Sequence, residues 1–247
     1  MAAPTPYTIA VPQADVDDMR RRVASTRWAS TIPGDGWKYG VEIDWLRSMA
    51  TTWAQEYDWR VHERAMNSYP NYLVEIDGIP IHFLHIKGKG PSPKPLIVTH
   101  GWPWSFWDMK GLIGPLTDPA AHGGDPANSF DLVIPSLPGF AFSTPLRQHG
   151  VNVRRVAQLW VKLMRDHLGY DKFGAYGGDW GAIVTSELGH AHGEYLTGVY
   201  MSMPTICGVN RRDLTPDAYA PDEQWMLARP QRDWQPARKP ITPSRCW

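Results

Sequence analysis

One stretch decides the fold: FGAYGGDWGA, residues 173–182. A β-rich run enters it, a helical run leaves it, and Gly177 and Gly181 stand two residues before and two residues after Asp179. This is the layout of a nucleophile elbow, a sharp strand-to-helix turn, with Asp in place of the usual Ser. We expect strained backbone angles at Asp179 and a steric clash for a Cβ at either glycine. The alternative is an ordinary glycine-rich turn in which Asp179 only caps the helix.

The loop after the apolar run LIVT, which is typical of a buried parallel strand, supports the elbow interpretation. It consists of His100, Gly101, Trp102 and Pro103. In an elbow architecture this loop supplies one backbone N–H to an oxyanion hole, here that of Trp102, and the residue after the nucleophile, Trp180, supplies the second. For His100, support of the loop is favoured over the role of a catalytic base.

β-rich and helical runs alternate on both sides of these loops. A hairpin signal comes first, with Asp77-Gly78 between the β-rich runs 72–76 and 79–86. Further strands are expected at 96–99, 130–134, 173–176 and 196–201, and helices at 106–116, 152–168 and 180–190. This alternation predicts an α/β domain with a largely parallel sheet.

Three regions of the chain differ in pattern. Residues 1–70 are predicted to be helical, with an amphipathic segment in which Trp45, Met49 and Trp53 are spaced four apart. Residues 71–215 carry the α/β pattern. Residues 216–247 are rich in Pro, Trp and Arg and lack apolar periodicity. Because such a segment buries too little surface to offset its ordering entropy, we expect a loosely structured tail.

Composition excludes several classes of protein. The 25 basic and 25 acidic side chains cancel, which argues against a nucleic-acid partner. No apolar run approaches the roughly 20 residues that span a bilayer, and the start MAAPTPYTIA lacks a signal-peptide layout, so no membrane partner is expected. Two Cys suit a reducing cytoplasm. No phosphate-binding or dinucleotide loop is present, and His122 with Asp125 is too small a set for a metal site, so no cofactor and no metal are expected.

On these motifs the sequence resembles the microsomal-type branch of the epoxide hydrolase family of α/β-hydrolases. HGWPWSFWD (100–108) resembles the family's HGWPGS loop, with Trp104 where Gly is usual, and GGDWGA (177–182) resembles its elbow. TRW (26–28), YDWR (57–60) and IDGIPIHF (76–83) resemble its N-terminal domain. The resemblance covers residues 7–215. It implies an α/β-hydrolase fold with an incomplete, mostly parallel sheet, preceded by a helical N-terminal epoxide hydrolase domain.

The resemblance implies conversion of an apolar epoxide to a vicinal diol, with water as the second substrate and no cofactor. Asp179 would open the ring to form an ester, and a His-activated water would cleave that ester. The backbone N–H groups of Trp102 and Trp180 would hold the oxyanion. The residues expected to support the two loops are His100, Gly101, Pro103, Gly177 and Gly181. The sequence leaves the oligomeric state open.

The chain departs from the family in its histidines. All nine lie at or before residue 192, whereas the order along this fold is nucleophile, acid, then His. His190 and His192 follow Asp179, but a helix over 180–190 would carry them about 15 Å from the elbow. The base, its acid, the lid and the last two strands are therefore expected to be missing. This predicts a truncated or frame-shifted member with an apolar sheet edge at strand 196–201.

The amino-acid sequence alone is compatible with three functions. The first is an epoxide hydrolase, and the second is a non-catalytic remnant or binding module that keeps the pocket walls without the base. The third is another α/β-hydrolase with an Asp nucleophile, such as a dehalogenase, against which the helical N-terminal region argues. A genuinely short homologue is the alternative to truncation.

Overall fold

The structure is a computed structural model that describes residues 3–30, 34, 36–203 and 220–222. Two compact units are distinguished, residues 1–205 and residues 206–247. Nearly all of the second unit lies outside the described residues, and so does the predicted loosely structured tail at 216–247 apart from residues 220–222.

In the described part of the chain, seven strands form one sheet. They are β1 (Thr5–Pro6), β2 (Asn71–Ile76), β3 (Ile79–Ile86), β4 (Lys94–Thr99), β5 (Phe130–Pro135), β6 (Phe173–Gly177) and β7 (Leu196–Met201), in the order β1-β2-β3-β5-β4-β6-β7. The strands β5, β4, β6 and β7 pair in parallel, and β1 to β3 add an antiparallel side through β3 and β5. The predicted α/β architecture is confirmed, and the carboxyl ends of the parallel strands meet at one edge.

Six helices accompany the sheet in the described residues. They are α1 (Gln13–Ala24), α2 (Ile43–Gln55), α3 (Trp59–Asn67), α4 (Lys110–Thr117), α5 (Val153–Lys162) and α6 (Trp180–Ala191). A 3-10 turn, Phe106–Met109, leads into α4, and a π-helical turn, Leu163–His167, extends α5. Further 3-10 turns lie at Pro119–His122, Pro126–Asn128 and Gly193–Tyr195. Within the described residues, no helix has both the length and the apolar character that a membrane span requires.

The hydrophobic core consists of two clusters of buried side chains, and each cluster contains residues of the sheet. One cluster unites Ile97 and Phe173 with Trp160 from α5. The other unites Val98 with Phe106 and with side chains from α3 and α4. Neighbouring residues of β4 thus enter different clusters, as the alternation of a strand buried on both faces requires. This double burial holds the end of β4 in place.

The predicted helical region at 1–70 also contributes to the sheet. The short strand β1 pairs with β2, which the sequence pattern did not indicate. Side chains of α3 then hold the segment that follows β1. Val11 donates its backbone N–H to Glu63 Oε1 (2.7 Å), and Ile9 donates its own to Asn67 Oδ1 (2.9 Å). The Val11 N–H, with help from Arg60, keeps the pKa of the Glu63 carboxyl below its usual range. The N-terminal region therefore packs as part of the same core.

Strand β7 forms one edge of the sheet as described. Its apolar side chains include Val199, 44% exposed, and Tyr200, 67% exposed. The apolar edge expected at residues 196–201 is therefore present in the described part of the chain.

Candidate active site

Asp179 occupies the turn between β6 and α6 and has a strained backbone. Its φ of 51° and ψ of −123° lie in a region that residues with a side chain rarely adopt. The predicted strain is therefore confirmed. The Asp179 side chain makes no capping hydrogen bond to α6, so capping of the helix does not account for the residue. The turn instead presents the carboxylate at the carboxyl end of β6.

The flanking glycines allow this turn to close. A Cβ built on Gly177 would lie 2.1 Å from the carbonyl oxygen of Gly181. A Cβ built on Gly181 would lie 2.1 Å from the carbonyl oxygen of Thr99, at the end of β4. Both distances are far below van der Waals contact, so the predicted clash is confirmed at both positions.

The loop after β4 reaches the elbow directly. Trp102 donates its backbone N–H to Asp179 Oδ1 at 2.9 Å. Gly101 makes this approach possible, because a Cβ there would lie 2.6 Å from Asp179 Cβ. The second predicted donor, the N–H of Trp180, belongs to the first residue of α6, where backbone N–H groups have no carbonyl partner within the helix. The structure thus brings Gly101 and Trp102 against Asp179, with Trp180 next along the chain.

His100 is buried, and both of its ring nitrogens are bound to the backbone. Nε2 accepts the N–H of Leu137 at 3.0 Å. Nδ1 therefore carries the proton, and it donates to the carbonyl oxygen of Gly101 at 2.9 Å. Burial lowers the pKa of His100, so the ring is neutral. This geometry fits the loop-supporting interpretation, because neither nitrogen is available to a water molecule at the carboxylate.

The two histidines that follow Asp179 in the chain, His190 and His192, lie away from its carboxylate. α6 runs from Trp180 to Ala191, so a rise of 1.5 Å per residue puts His190 about 15 Å along the helix from Trp180. His192 lies one residue beyond the end of the same helix. The structure does not bring either of them to the carboxylate.

Three tryptophan side chains, from the segment after β4 and from the start of α6, are exposed in the described part of the chain. Trp102 is 61% exposed, Trp104 is 54% exposed and Trp180 is 48% exposed. The peptide bond between Trp102 and Pro103 is cis. Rings of this size are rarely left exposed together unless they contact a ligand or another part of a protein.

A cavity of about 270 Å³ lies at the segment that follows the oxyanion loop, which is the loop of residues 100–103 after β4. The residues that line it are Tyr57, Trp59, His62, Met66, Ser105, Phe106, Trp107, Ala141 and Phe142. They come from α3 and the residue Tyr57 shortly before it, from the segment after Trp102 and from the loop after β5. The sequence pattern did not indicate that α3 lines a cavity with the loop after β5, because only the folded chain joins these segments.

The described residues contain no group of three or more His, Cys, Asp or Glu side chains arranged to hold a metal ion. His122 closes the 3-10 turn Pro119–His122, and Asp125 caps the next turn by accepting the N–H of Ala127 at 2.8 Å. Their placement is explained by local structure.

Two family models match the chain: the epoxide hydrolase N terminus over residues 4–109 and the α/β hydrolase fold over residues 94–239. The chain belongs to the epoxide hydrolase family of α/β-hydrolases. This confirms the family that the two loops and the N-terminal motifs predicted. The first model ends beyond β4, so the epoxide hydrolase N terminus includes the three antiparallel strands as well as helices α1 to α3.

Named epoxide hydrolases are similar to the chain in sequence. A protein of Stigmatella aurantiaca, whose name assigns it provisionally to the epoxide hydrolases, is 41% identical over 92% of this chain and 51% of its own length. Epoxide hydrolase 1 of Oryctolagus cuniculus is 32% identical over 81% of this chain and 45% of its own length. The chain spans about half the length of the curated relatives it matches.

Solved structures agree with this family and fold. The epoxide hydrolase of Aspergillus niger superposes with a TM-score of 0.74 at 27% identity, over 95% of this chain and 60% of that one. The juvenile hormone epoxide hydrolase of Bombyx mori superposes with a TM-score of 0.72 at 31% identity, over 82% of this chain and 53% of that one. The predicted α/β-hydrolase fold behind an epoxide hydrolase N terminus is confirmed.

Proposed function

We propose that the chain carries the nucleophile of an epoxide hydrolase and that Asp179 attacks apolar epoxides. One observation carries this proposal: a carboxylate on a strained elbow accepts the backbone N–H of Trp102. The names of the relatives and of the structural neighbours support the substrate class. The epoxide hydrolase N terminus, matched over residues 4–109, favours this activity over dehalogenation.

A carboxylate suits this reaction better than a hydroxyl. A serine that opened an epoxide would become an ether, which water does not readily cleave, whereas a carboxylate becomes an ester. Oδ1 of Asp179 already accepts the Trp102 N–H. We therefore assign the attack to Oδ2, which leaves Oδ1 as the carbonyl oxygen of the ester. The donor that orients the resting carboxylate is then in place for the second step.

The reaction consists of two steps, formation of an ester at Asp179 and its hydrolysis. In the first, Oδ2 of Asp179 bonds to an epoxide carbon, the C–O bond of the ring breaks, and the released oxygen takes up a proton. In the second, water adds to Cγ of the ester and loses a proton, and Oδ1 becomes an oxyanion. Collapse of this intermediate breaks the Cγ–Oδ2 bond, so that Oδ2 leaves as one oxygen of the diol. The proton of the added hydroxyl passes to that oxygen, and Oδ1 and the oxygen from water form the restored carboxylate. The backbone N–H groups of Trp102 and Trp180 stabilise the oxyanion, and one such donor is typically worth about 3 kcal/mol.

The second step needs a base to activate water. In the described residues, both nitrogens of His100 are bound to the backbone, and His190 lies at the far end of α6. We therefore expect the first step to proceed in this 247-residue chain and the ester to accumulate. Repeated turnover would show that a base reaches Asp179 from elsewhere.

Apolar epoxides are favoured over polar ones by the surroundings of the carboxylate. Trp102 bonds Asp179 through its backbone, Trp180 follows Asp179 in the chain, and the rings of both are exposed, as is that of Trp104. The neighbouring cavity is lined mostly by aromatic side chains. Burial of apolar surface contributes about 25 cal/mol per Å² to binding, so an aryl or alkyl substituent on the epoxide gains from these walls.

Substrate consumption at stoichiometric protein tests the proposal. Styrene oxide should disappear in an amount equal to the protein, and the matched variant Asp179→Asn, which keeps the shape of the side chain, should consume none. A haloalkane tested in parallel separates the dehalogenase alternative through halide release. Halide release without consumption of styrene oxide would overturn the proposal.

A further inference from the structure

We infer that His82 is a positioning residue that aims the backbone N–H of Trp102 at Asp179. It does so through hydrogen bonds, joined by the neighbouring residues Ser136 and Leu137 and by the Gly101–Trp102 peptide group, that begin in the epoxide hydrolase N terminus and end at the carboxylate. As a statement about catalysis, the inference rests on the proposed function. The geometry itself consists of contacts among β2, β3 and the loops after β4 and β5.

The first link fixes the tautomer of His82. Asn71, the first residue of β2, donates its side-chain amide to the carbonyl oxygens of Met66 (3.0 Å) and Tyr69 (2.8 Å). Both amide protons are thereby used, so Asn71 Oδ1 faces His82 Nε2 at 2.9 Å and accepts its proton. His82 Nδ1 is then left as an acceptor, and the hydroxyl of Ser136 donates to it at 2.9 Å.

The second link ties the loop after β5 to His82 on both sides of its backbone. The N–H of His82 donates to Ser143 Oγ at 2.9 Å, and its carbonyl oxygen accepts the N–H of Ser136 at 2.8 Å. Ser143 Oγ donates in turn to the carbonyl oxygen of Ser136 at 2.7 Å. The two ends of the segment 136–143 are thus held against one residue of β3. His82, Ser136 and Ser143 are all fully buried.

The third link runs from this loop to the oxyanion donor. Leu137, next to Ser136, donates its N–H to His100 Nε2, and His100 Nδ1 donates to the carbonyl oxygen of Gly101. That carbonyl and the N–H of Trp102 belong to one trans peptide group, so they point in opposite directions. A hydrogen bond that fixes the Gly101 oxygen therefore also sets the direction of the Trp102 N–H, which points at Asp179 Oδ1.

The surroundings of His82 keep it in this single state. The rings of Phe106, Phe142 and Tyr7 pack edge-on around it, at centroid distances of 4.8, 5.2 and 5.5 Å. Burial lowers the pKa of His82 to about 3. A neutral ring with one donor and one acceptor is what this network requires, and the backbone bonds of His82 to Ser136 and Ser143 add a second attachment to the same loop.

A spectroscopic signature separates positioning from packing. In protein labelled with ¹⁵N-tryptophan, the Trp102 amide is identified by its loss in Trp102→Phe, and its proton is shifted downfield by the bond to a carboxylate. We expect His82→Gln and Ser136→Ala to move this signal upfield, towards its place in Asp179→Asn. The matched control is Thr117→Val, which removes another buried hydroxyl, one bound to the Ile113 carbonyl oxygen at 2.7 Å. It should leave the signal in place.

The rate of ester formation at Asp179 is the second readout. It should fall about 10- to 100-fold in His82→Gln and Ser136→Ala, the range that follows from a misplaced reacting group, and stay unchanged in Thr117→Val. The inference is overturned if the Trp102 signal stays in place in folded Ser136→Ala, or if it moves equally in Thr117→Val. If His82→Gln does not fold, Ser136→Ala decides. A Trp102 signal that moves as expected in a protein that forms no ester would support the positioning geometry and refute the proposed function.

Discussion

The substitution Gly101→Ala tests how closely the oxyanion loop and the nucleophile fit together. The added Cβ would lie 2.6 Å from Asp179 Cβ and 2.9 Å from its Oδ1. Because carbon atoms in contact lie about 3.5 Å apart, the two side chains must separate by about 0.9 Å. Neither can move freely, since the elbow is closed by Gly177 and Gly181 and the loop is held by His100.

We expect ester formation at Asp179 to fall about 100-fold in Gly101→Ala, as is typical when a reacting group is misplaced by about 1 Å. The free energy of unfolding should fall by about 1–3 kcal/mol, as at other overpacked sites. The assay is single-turnover consumption of styrene oxide, followed by mass spectrometry, with thermal unfolding measured by circular dichroism. In the control Gly111→Ala the Cβ meets nothing within 4 Å, so the rate should not change. Equal rates in the two variants would refute the reasoning.

Three further outcomes are expected. Gly181→Ala should lower the free energy of unfolding by about 3 kcal/mol or more, because its Cβ would lie 2.1 Å from a β4 carbonyl oxygen. The control Gly189→Ala in the same helix should be neutral or stabilising, because the nearest contact of its Cβ would be at 3.6 Å. Equal melting temperatures of the two variants would contradict this. The hydrogen bond from Lys162 lowers the pKa of Asp77. The stabilisation by this carboxylate is therefore present above the pKa of the unfolded chain and is lost as pH falls through the lowered pKa. In urea unfolding, the difference in free energy of unfolding between wild type and Asp77→Asn should be present at pH 7 and smaller at pH 3, and a difference that does not change with pH would contradict this. The folded-state pKa of His82 is about 3, whereas in the unfolded chain the same side chain takes up a proton below about pH 6.5. As pH falls through that window, the free energy of unfolding of wild type should decrease by about 1.4 kcal/mol per pH unit more than that of His82→Gln. Parallel slopes of the two free energies against pH would contradict this.

The elbow was predictable from sequence because its requirement is local. Glycines two residues on either side of Asp179 are needed for a turn in which backbone atoms pass within contact distance, and a strand and a helix flank them. The helix over 152–168 was predictable for the same reason. The side chain of Asn152 caps its start by accepting the N–H of Arg155, and Gly169, with a φ of 75°, ends it. Its last turn, Leu163–His167, is π-helical, which no local pattern indicated.

The features that the sequence did not predict depend on contacts between residues far apart in the chain. The strand β1 is only two residues long and forms by pairing with Tyr72 and Leu73, so it has no periodicity of its own. The hydrogen bonds of His82 to Asn71 and Ser136 join three segments, and a lone histidine in a β-rich run carries no sign of them. The cavity beside the oxyanion loop has the same origin.

The helix α2 shows a different kind of limit. The four-residue spacing of Trp45, Met49 and Trp53 predicts an amphipathic helix, and α2 is present over Ile43–Gln55. All three side chains are more than 40% exposed in the described part of the chain. Periodicity identifies an apolar face, but it does not say what covers that face.

The mass of the peptide that contains Asp179, after exposure to styrene oxide, tests the central claim most directly. The protein is incubated with excess epoxide, quenched in acid, digested and analysed by mass spectrometry. The account predicts one epoxide added at Asp179, no such adduct in Asp179→Asn, and no comparable adduct at the exposed carboxylate Asp44. An unmodified Asp179 in protein that has consumed epoxide, or labelling of Asp44 to the same extent, would contradict the claim that Asp179 is the nucleophile.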